Sequence, residues 1–332
     1  MKGKRVIARL LRSHRLRCQI GRLNRWSGVL VLNYHRIGNG DALPFDRGLW
    51  SANAESFLEQ IRFCKSELEI ISPDNLEDVR SKCQGRFAII TFDDGYRDNY
   101  EVAFPILRTE RVPATFFVTT GFIDVPRLPW WDEVSWMVRT SQRDHVNLPG
   151  WLPASIPFDE PAREGAVRKL LRTYKALPTS KVEVYLDAIA DATGAGRCET
   201  GVGRDLWMTW NMLREMRGSG MTVGGHTVNH PVLARASLGG QRDEIVGCAA
   251  RIGEEMGQPM RYFAYPVGGP QSFDANTVDC LREVGVRYAF SYYGGVARFG
   301  HWHDYNVHRV PVETDLSSDW FRSMVVLPQL FA

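Results

Sequence analysis

Nowhere does the 332-residue chain hold an apolar run long enough to span a bilayer, and no run near its start reaches signal-peptide length. It therefore reads as unsecreted, and a cytoplasmic protein, with membrane association open, is the expectation. Cysteine is sparse and unpaired in pattern. The six residues, at 18, 64, 83, 198, 248 and 280, share no disulfide or zinc-finger spacing, which fits reduced thiols. No Gly-rich phosphate fingerprint follows any predicted strand, which argues against a nucleotide fold. Acid is missing from residues 1–25, which carry nine Lys or Arg and leave 32 bases against 38 acids in the remainder. Val6, Ile7, Leu10, Leu11, Leu16, Ile20 and Leu23 interleave those bases. Two readings of this arm stand side by side: an amphipathic helix on an anionic membrane surface, or a solvated basic tail. Aromatic interleaving is absent, so no nucleic-acid partner is expected.

What is present is organised around Phe87-Ala-Ile-Ile-Thr-Phe-Asp-Asp-Gly-Tyr96. It opens as a buried strand and breaks into two adjacent carboxylates and a glycine. In α/β folds the carboxyl ends of the strands are where chemistry is placed. Two neighbouring carboxylates repel each other unless a cation or a shared proton lies between them. A plain Asp-Gly turn is the other reading. A second apolar stretch, Met221-Thr-Val-Gly-Gly-His226-Thr-Val-Asn-His230-Pro231, ends in two imidazoles four residues apart. Pro231 disfavours helix at His230, which puts the pair on a strand-end loop or a single turn. With Asp94, the pair supplies the His, His, carboxylate set of an open catalytic metal site and leaves Asp93 free as a base.

Thr91-Phe-Asp-Asp-Gly95 and His226-Thr-x-x-His230 resemble the first two signature motifs of the polysaccharide deacetylase family, the NodB-homology or carbohydrate esterase family 4 group. Gly220-Met-Thr-Val-Gly-Gly-His-Thr and Phe263-Ala-Tyr-Pro-Val-Gly268 are similar to its flanking pattern, and the likeness runs from about Val29 to about Val325. The resemblance implies an irregular (β/α)7-type barrel at residues 28–325, behind a basic arm at 1–27. It also implies metal-dependent hydrolysis of N-acetyl groups on a saccharide or polysaccharide. The implied metal site is Asp94, His226 and His230, with Asp93 as base. Zinc suits these ligands, as do cobalt, nickel and iron.

Three roles follow only from that resemblance. Tyr34-His35 closes the first strand, as in the exopolysaccharide branch, where the histidine is the general acid in place of a C-terminal Leu-x-His; no clear Leu-x-His is found near this C-terminus. The backbone amide that stabilises the oxyanion falls by position on Tyr265. The arginine usual in that motif is Ala264 here, so the partner of Asp93 is left to Arg309 of Val307-His-Arg-Val-Pro311, with a surface ion pair as the other reading of Arg309.

The alternation of strand and helix supports a parallel barrel independently. It is interrupted at about 126–205, which reads as a helical insertion. Trp131 and Asp132, leaving the strand rim directly, are candidates for sugar contact, as is Tyr96; indoles at helical spacing also suit a core. His301, His303 and His308 near Asp304 invite a second metal site or a substrate-side loop. Two other functions stay open: another metal amidohydrolase or O-acetyl esterase of the same fold, and a catalytically silent carbohydrate-binding protein.

Overall fold

The computed structural model describes residues 26–331 apart from 42, 159–161, 200 and 314–315. The basic arm at 1–25, with its amphipathic reading, lies outside the described residues. Seven strands carry the apolar runs of the sequence: β1 (Gly28–Tyr34), β2 (Arg86–Phe92), β3 (Thr115–Val118), β4 (Thr222–Gly225), β5 (Tyr262–Ala264), β6 (Tyr288–Gly294) and β7 (Val307–Pro311). Each pairs in parallel with the next, and β7 pairs with β1, so the sheet closes into the expected seven-stranded barrel. Closure is irregular. The register slips between Phe290 and Gly294, and β4 meets β5 at one residue pair, Phe263 with Gly225.

The two-residue period of a strand sorts the side chains. Leu30, Leu32 and Tyr34 of β1 join the layer under the helices, as do Ala88, Ile90 and Phe92 of β2. Val29 and Val31 join a separate cluster with Phe87, Ile89, Phe117, Phe290 and Val307, which plugs the barrel. Further along the same inward files the residues turn polar: Asn33 on β1, Thr91 and then Asp93 on β2, and Arg309 on β7, all buried. Buried polar groups need partners, so this change of polarity marks the end of the barrel where a hydrogen-bonded site is built.

The outer layer includes α1 (Ala54–Glu67), α2 (Phe104–Glu110) and, after an interruption, four helices of nine or more residues. In α1 the Asn53 side chain accepts from the Ser56 amide at 2.8 Å, and Phe57, Ile61 and Cys64 are buried at helical spacing.

The interruption holds α3 (Trp130–Thr140), a hairpin of His145–Val146 with Ile156–Pro157, α4 (Ala162–Ala176) and α5 (Val182–Thr193). These bury their own core, including Val134, Met137, Leu170, Tyr185 and Ile189, and meet the barrel through Tyr96, Phe122 and Trp207. The barrel resumes with α6 (Trp210–Gly218), α7 (Leu238–Met256), α8 (Ala275–Glu283) and α9 (Ser318–Val326). Among the described residues no helix is long and apolar enough to cross a membrane.

Candidate active site

Tyr34 of β1 lies in register with Phe92 of β2, so the residues that follow them, His35 and Asp93, leave adjacent strands at one rim. Val118 of β3 is likewise in register with Gly225, just before His226. Gly224 has to be glycine because a Cβ there would stand 2.6 Å from the Phe117 ring and 2.8 Å from the Tyr262 carbonyl oxygen. Consecutive side chains of an extended strand point to opposite faces. Asp94 escapes that rule with φ 76, a left-handed turn, and both carboxylates line one cleft. Thr227 (φ 69) and His230 (φ 58) are left-handed as well. Such strain is held only where surrounding structure enforces it.

Asp94, His226 and His230 converge. Asp94 Oδ1 lies 3.5 Å from His226 Nε2 and 3.4 Å from His230 Nε2, and it has no hydrogen-bond partner. Ligating atoms of the three lie within 4.8 Å of one another, and all three residues are buried. The Ala264 carbonyl, 2.8 Å from His226 Nδ1, fixes that nitrogen as the donor and leaves Nε2 as a lone pair toward Asp94. Burial, with His226 alongside, pushes His230 down to about 3, so its ring stays neutral, the form that ligates. Burial alone would raise Asp94, but the neighbouring imidazoles of His226, His230 and His35 hold it below the ordinary carboxylate value. A buried, unpartnered carboxylate oxygen facing two imidazole nitrogens, beside a second orphaned nitrogen at His230 Nδ1, fits a divalent cation.

Asp93 is bound differently. Arg309 Nη1 and Nη2 each lie 2.7 Å from one of its oxygens, a bidentate pair, and Asn33 Nδ2 donates to Oδ2 at 3.3 Å. Arg309 is itself fully buried, donating also to the Ser291 carbonyl at 2.9 Å and to Asn33 Oδ1 at 2.7 Å. It is therefore no surface ion pair. Burial works to raise Asp93, but the Arg309 charge outweighs it and lowers the group to about 2. The side chain is an anion throughout the neutral range.

His35 lies on the same cleft, half-buried, its ring edge-on to Tyr292 at 5.6 Å. Its carbonyl accepts from Asn99 Nδ2 at 2.7 Å and its amide donates to Ser51 Oγ at 3.0 Å, so its backbone is anchored at both ends.

Three expectations need correction. The Tyr265 amide donates to the Phe290 carbonyl at 3.1 Å within the sheet, so it is not available to an oxyanion. Its phenol is also occupied, donating to the Tyr305 carbonyl at 2.8 Å. Pro266 has no N–H. The next amide, Val267, has φ 61, lines the cleft and donates to no group among the described residues. Tyr96 and Asp132 are buried and away from the cleft wall. Tyr96 Oη donates to Asp132 Oδ2 at 2.9 Å and accepts from Trp131 Nε1 at 2.8 Å, while Asp132 Oδ1 takes the Asp46 amide at 2.9 Å. Burial, tempered by the nearby Arg36 charge, pushes Asp132 up to about 7. The pair ties the 46–50 loop to the insertion and has no face left for sugar. Trp131 is buried too, but it lines the cleft and packs edge-on against His230 at 4.4 Å.

The second histidine group does not assemble. His303 Nδ1 accepts from the Tyr305 amide at 3.1 Å, Asp304 pairs with Arg80 at 2.7 Å, and His308 packs beside Tyr293. Sequence reasoning missed Asn33, a polar residue on an inward position of an apolar strand, which the strand period marks. It also missed Val267 and the cations of α4, hidden among the other charges on the outer face of an amphipathic helix.

The cleft encloses about 520 Å³ and is lined by Asp93, Asp94, His226, His230 and His35, by Trp130, Trp131 and residues of α4, and by Tyr292 and Glu313 among others. A family profile described as polysaccharide deacetylase matches residues 80–144 and 169–289, more than half of the chain. Three solved structures are similar in fold. A deacetylase of Streptococcus pyogenes, PplD, in complex with acetate, is 18% identical, with 88% of this chain and 95% of that one covered and a TM-score of 0.58. IcaB from Ammonifex degensii is 22% identical, with 92% and 98% covered and a TM-score of 0.57. A de-N-acetylase from Aggregatibacter actinomycetemcomitans is 16% identical, with 87% and 96% covered and a TM-score of 0.55. No curated protein matches the chain.

Proposed function

Because the chain belongs to the polysaccharide deacetylase family, we propose that its cleft hydrolyses the N-acetyl group of a saccharide, with Asp93 as the base and His35 as the acid. The family is one of hydrolases that remove acetyl groups from sugar polymers, acting on carbon–nitrogen bonds, and its members use a divalent metal. The observation that carries the reading is the pairing of two unlike carboxylates. Asp94 has an orphaned oxygen before two imidazoles, while Asp93 is locked to Arg309.

Asp94, His226 and His230 would hold the metal, zinc before cobalt, nickel or iron, which supplies Lewis-acid polarisation of the acetyl carbonyl and a more acidic water. Asp93 accepts the proton of the attacking water. It stays charged and aimed because Arg309 and Asn33 fix both oxygens. The Val267 amide, in place of Tyr265, donates to the carbonyl oxygen as it gains charge. His35 gives a proton to the departing amine, which is a poor leaving group without one. Trp131, whose ring packs on His230, offers an apolar wall to the sugar.

The test is product analysis on metal-loaded protein with N-acetylglucosamine oligomers. Acetate released with an equal amount of free amine is the expected result. Acetate from O-acetylated sugars alone would make it an esterase. Release from neither substrate would leave a binding protein.

The arm at 1–25, we further propose, docks on an anionic membrane surface at the cytoplasmic face, drawing its support from nine bases among seven aliphatics. Vesicle sedimentation should need anionic lipid and weaken with salt. Equal sedimentation of a chain lacking 1–25 would discard it.

A further inference from the structure

One wall of the cleft is cationic. Arg168, Arg172 and Lys175 of α4 all line it, at the i, i+4, i+7 spacing of one helical face. The stripe runs about 10 Å at 1.5 Å per residue. Arg168, Arg172 and Lys175 are solvent-exposed, and none makes an ion pair or hydrogen bond among the described residues; Lys175 only lies 5.9 Å from the Trp130 ring centroid. Like charges four apart on a helix repel, so the spacing of Arg168 and Arg172 does not favour the helix. Of the three, Lys175 feels the Asp46 and Asp94 charges, and the other charges on the cleft leave Arg168 and Arg172 unmatched. Asp93 is matched by Arg309, and Asp94 faces the two histidines, with His35 nearby. Asp46, whose side chain accepts from the Gly48 amide at 2.9 Å, and the exposed Glu313 are the remaining acids, fewer than the three cations.

We infer that the saccharide taken by this cleft is anionic, with a phosphate or carboxylate on a sugar next to the acetylated one, and that Arg168 and Arg172 bind that group. Arginine matches both anions with two parallel hydrogen bonds. The acetamide sits at the floor among Asp93, Asp94 and His35, and the anionic neighbour runs along α4. This rests on the function proposed above and narrows its substrate.

The experiment compares three tetramers: N-acetylglucosamine alone, N-acetylglucosamine alternating with a uronic acid, and N-acetylglucosamine with a terminal phosphate. For each, kcat/KM of acetate release is measured at low salt, and Kd of the fully deacetylated tetramer is measured by calorimetry. At least one anionic tetramer should exceed the neutral one by about tenfold, two exposed charge pairs' worth. Arg168→Gln with Arg172→Gln should erase most of that ratio at unchanged melting temperature, Arg168→Lys with Arg172→Lys should keep part of it, and 0.5 M salt should flatten it. The arm that prevails, phosphate or uronate, names the anion. A neutral tetramer that reacts and binds as well as both anionic ones, or a ratio unmoved by the Gln variant, overturns the inference. If no tetramer releases acetate, the proposed function fails, and the Kd ratio still decides the charge of the ligand.

Discussion

The barrel rim and the insertion face each other across one cleft, yet they are built by opposite rules. At the rim the groups around the candidate metal site are buried and held by protein partners: Asp93 by Arg309 and Asn33, Arg309 by Ser291 and Asn33, His226 by Ala264. On the insertion, Arg168, Arg172 and Lys175 stand exposed and unpaired among the described residues. Groups that do chemistry must be held in place before substrate arrives, and only a dry, fully hydrogen-bonded shell does that. Groups that select a substrate can wait in water, because their partner comes with the ligand. A change at the rim should therefore cost metal, fold or turnover, and a change on the insertion should cost discrimination alone.

The harshest break is at the proposed metal ligands. His226→Ala should lose the metal and, with it, turnover, read by metal analysis after dialysis. Next is Arg309→Met, which leaves Asp93 buried without its cation. Unfolding should be easier by about 3–5 kcal/mol near neutral pH. The pH dependence should also reverse. In the native protein Asp93, lowered to about 2, contributes stability above its ordinary value of 3.8 that is lost as pH falls through about 2. In the variant, burial raises Asp93, so stability is greatest in acid and falls as pH rises, and the acid limb of activity moves upward. Denaturant melts between pH 3 and 8 check the sign.

His35→Ala should keep metal and fold while amide hydrolysis falls by about 10²–10⁴. An activated ester, whose leaving group needs no proton, should be affected much less. Equal losses on both would make His35 a positioning residue. The smallest effect is expected at Asp132→Asn. With its folded value raised to about 7, Asp132 favours the fold below its ordinary 3.8, and that contribution is lost as pH rises through about 7. The variant should lack that decline and keep the wild-type KM. A raised KM would return Asp132 to the substrate site.

The sequence made the barrel legible because buried strands write their period into it, and it pointed to the convergence of Asp94, His226 and His230 because each pair of residues closes its own strand. Arg309 was reachable too, since Ala264 left Asp93 without its usual partner. Tyr265 was misjudged because a strand amide spends itself on the neighbouring strand, and which residue of Ala264-Tyr-Pro-Val267 escapes the ladder depends on where β5 ends. Asp132 and Tyr96 carried functional chemistry in their residue types but are consumed by each other, a three-dimensional fact. The stripe on α4 was invisible for the opposite reason. Arg163 and Lys169 share the helix, and only the fold tells which bases face the cleft.

The central claim is that adjacent carboxylates divide the labour, Asp94 holding metal and Asp93 moving a proton. Asp93→Asn and Asp94→Asn, each reloaded with zinc and assayed for bound metal and acetate release, test it most directly. Full metal with no turnover in Asp93→Asn, and loss of both in Asp94→Asn, is the expected result. An Asp93→Asn protein stripped of metal beside an Asp94→Asn protein that retains it would contradict the assignment.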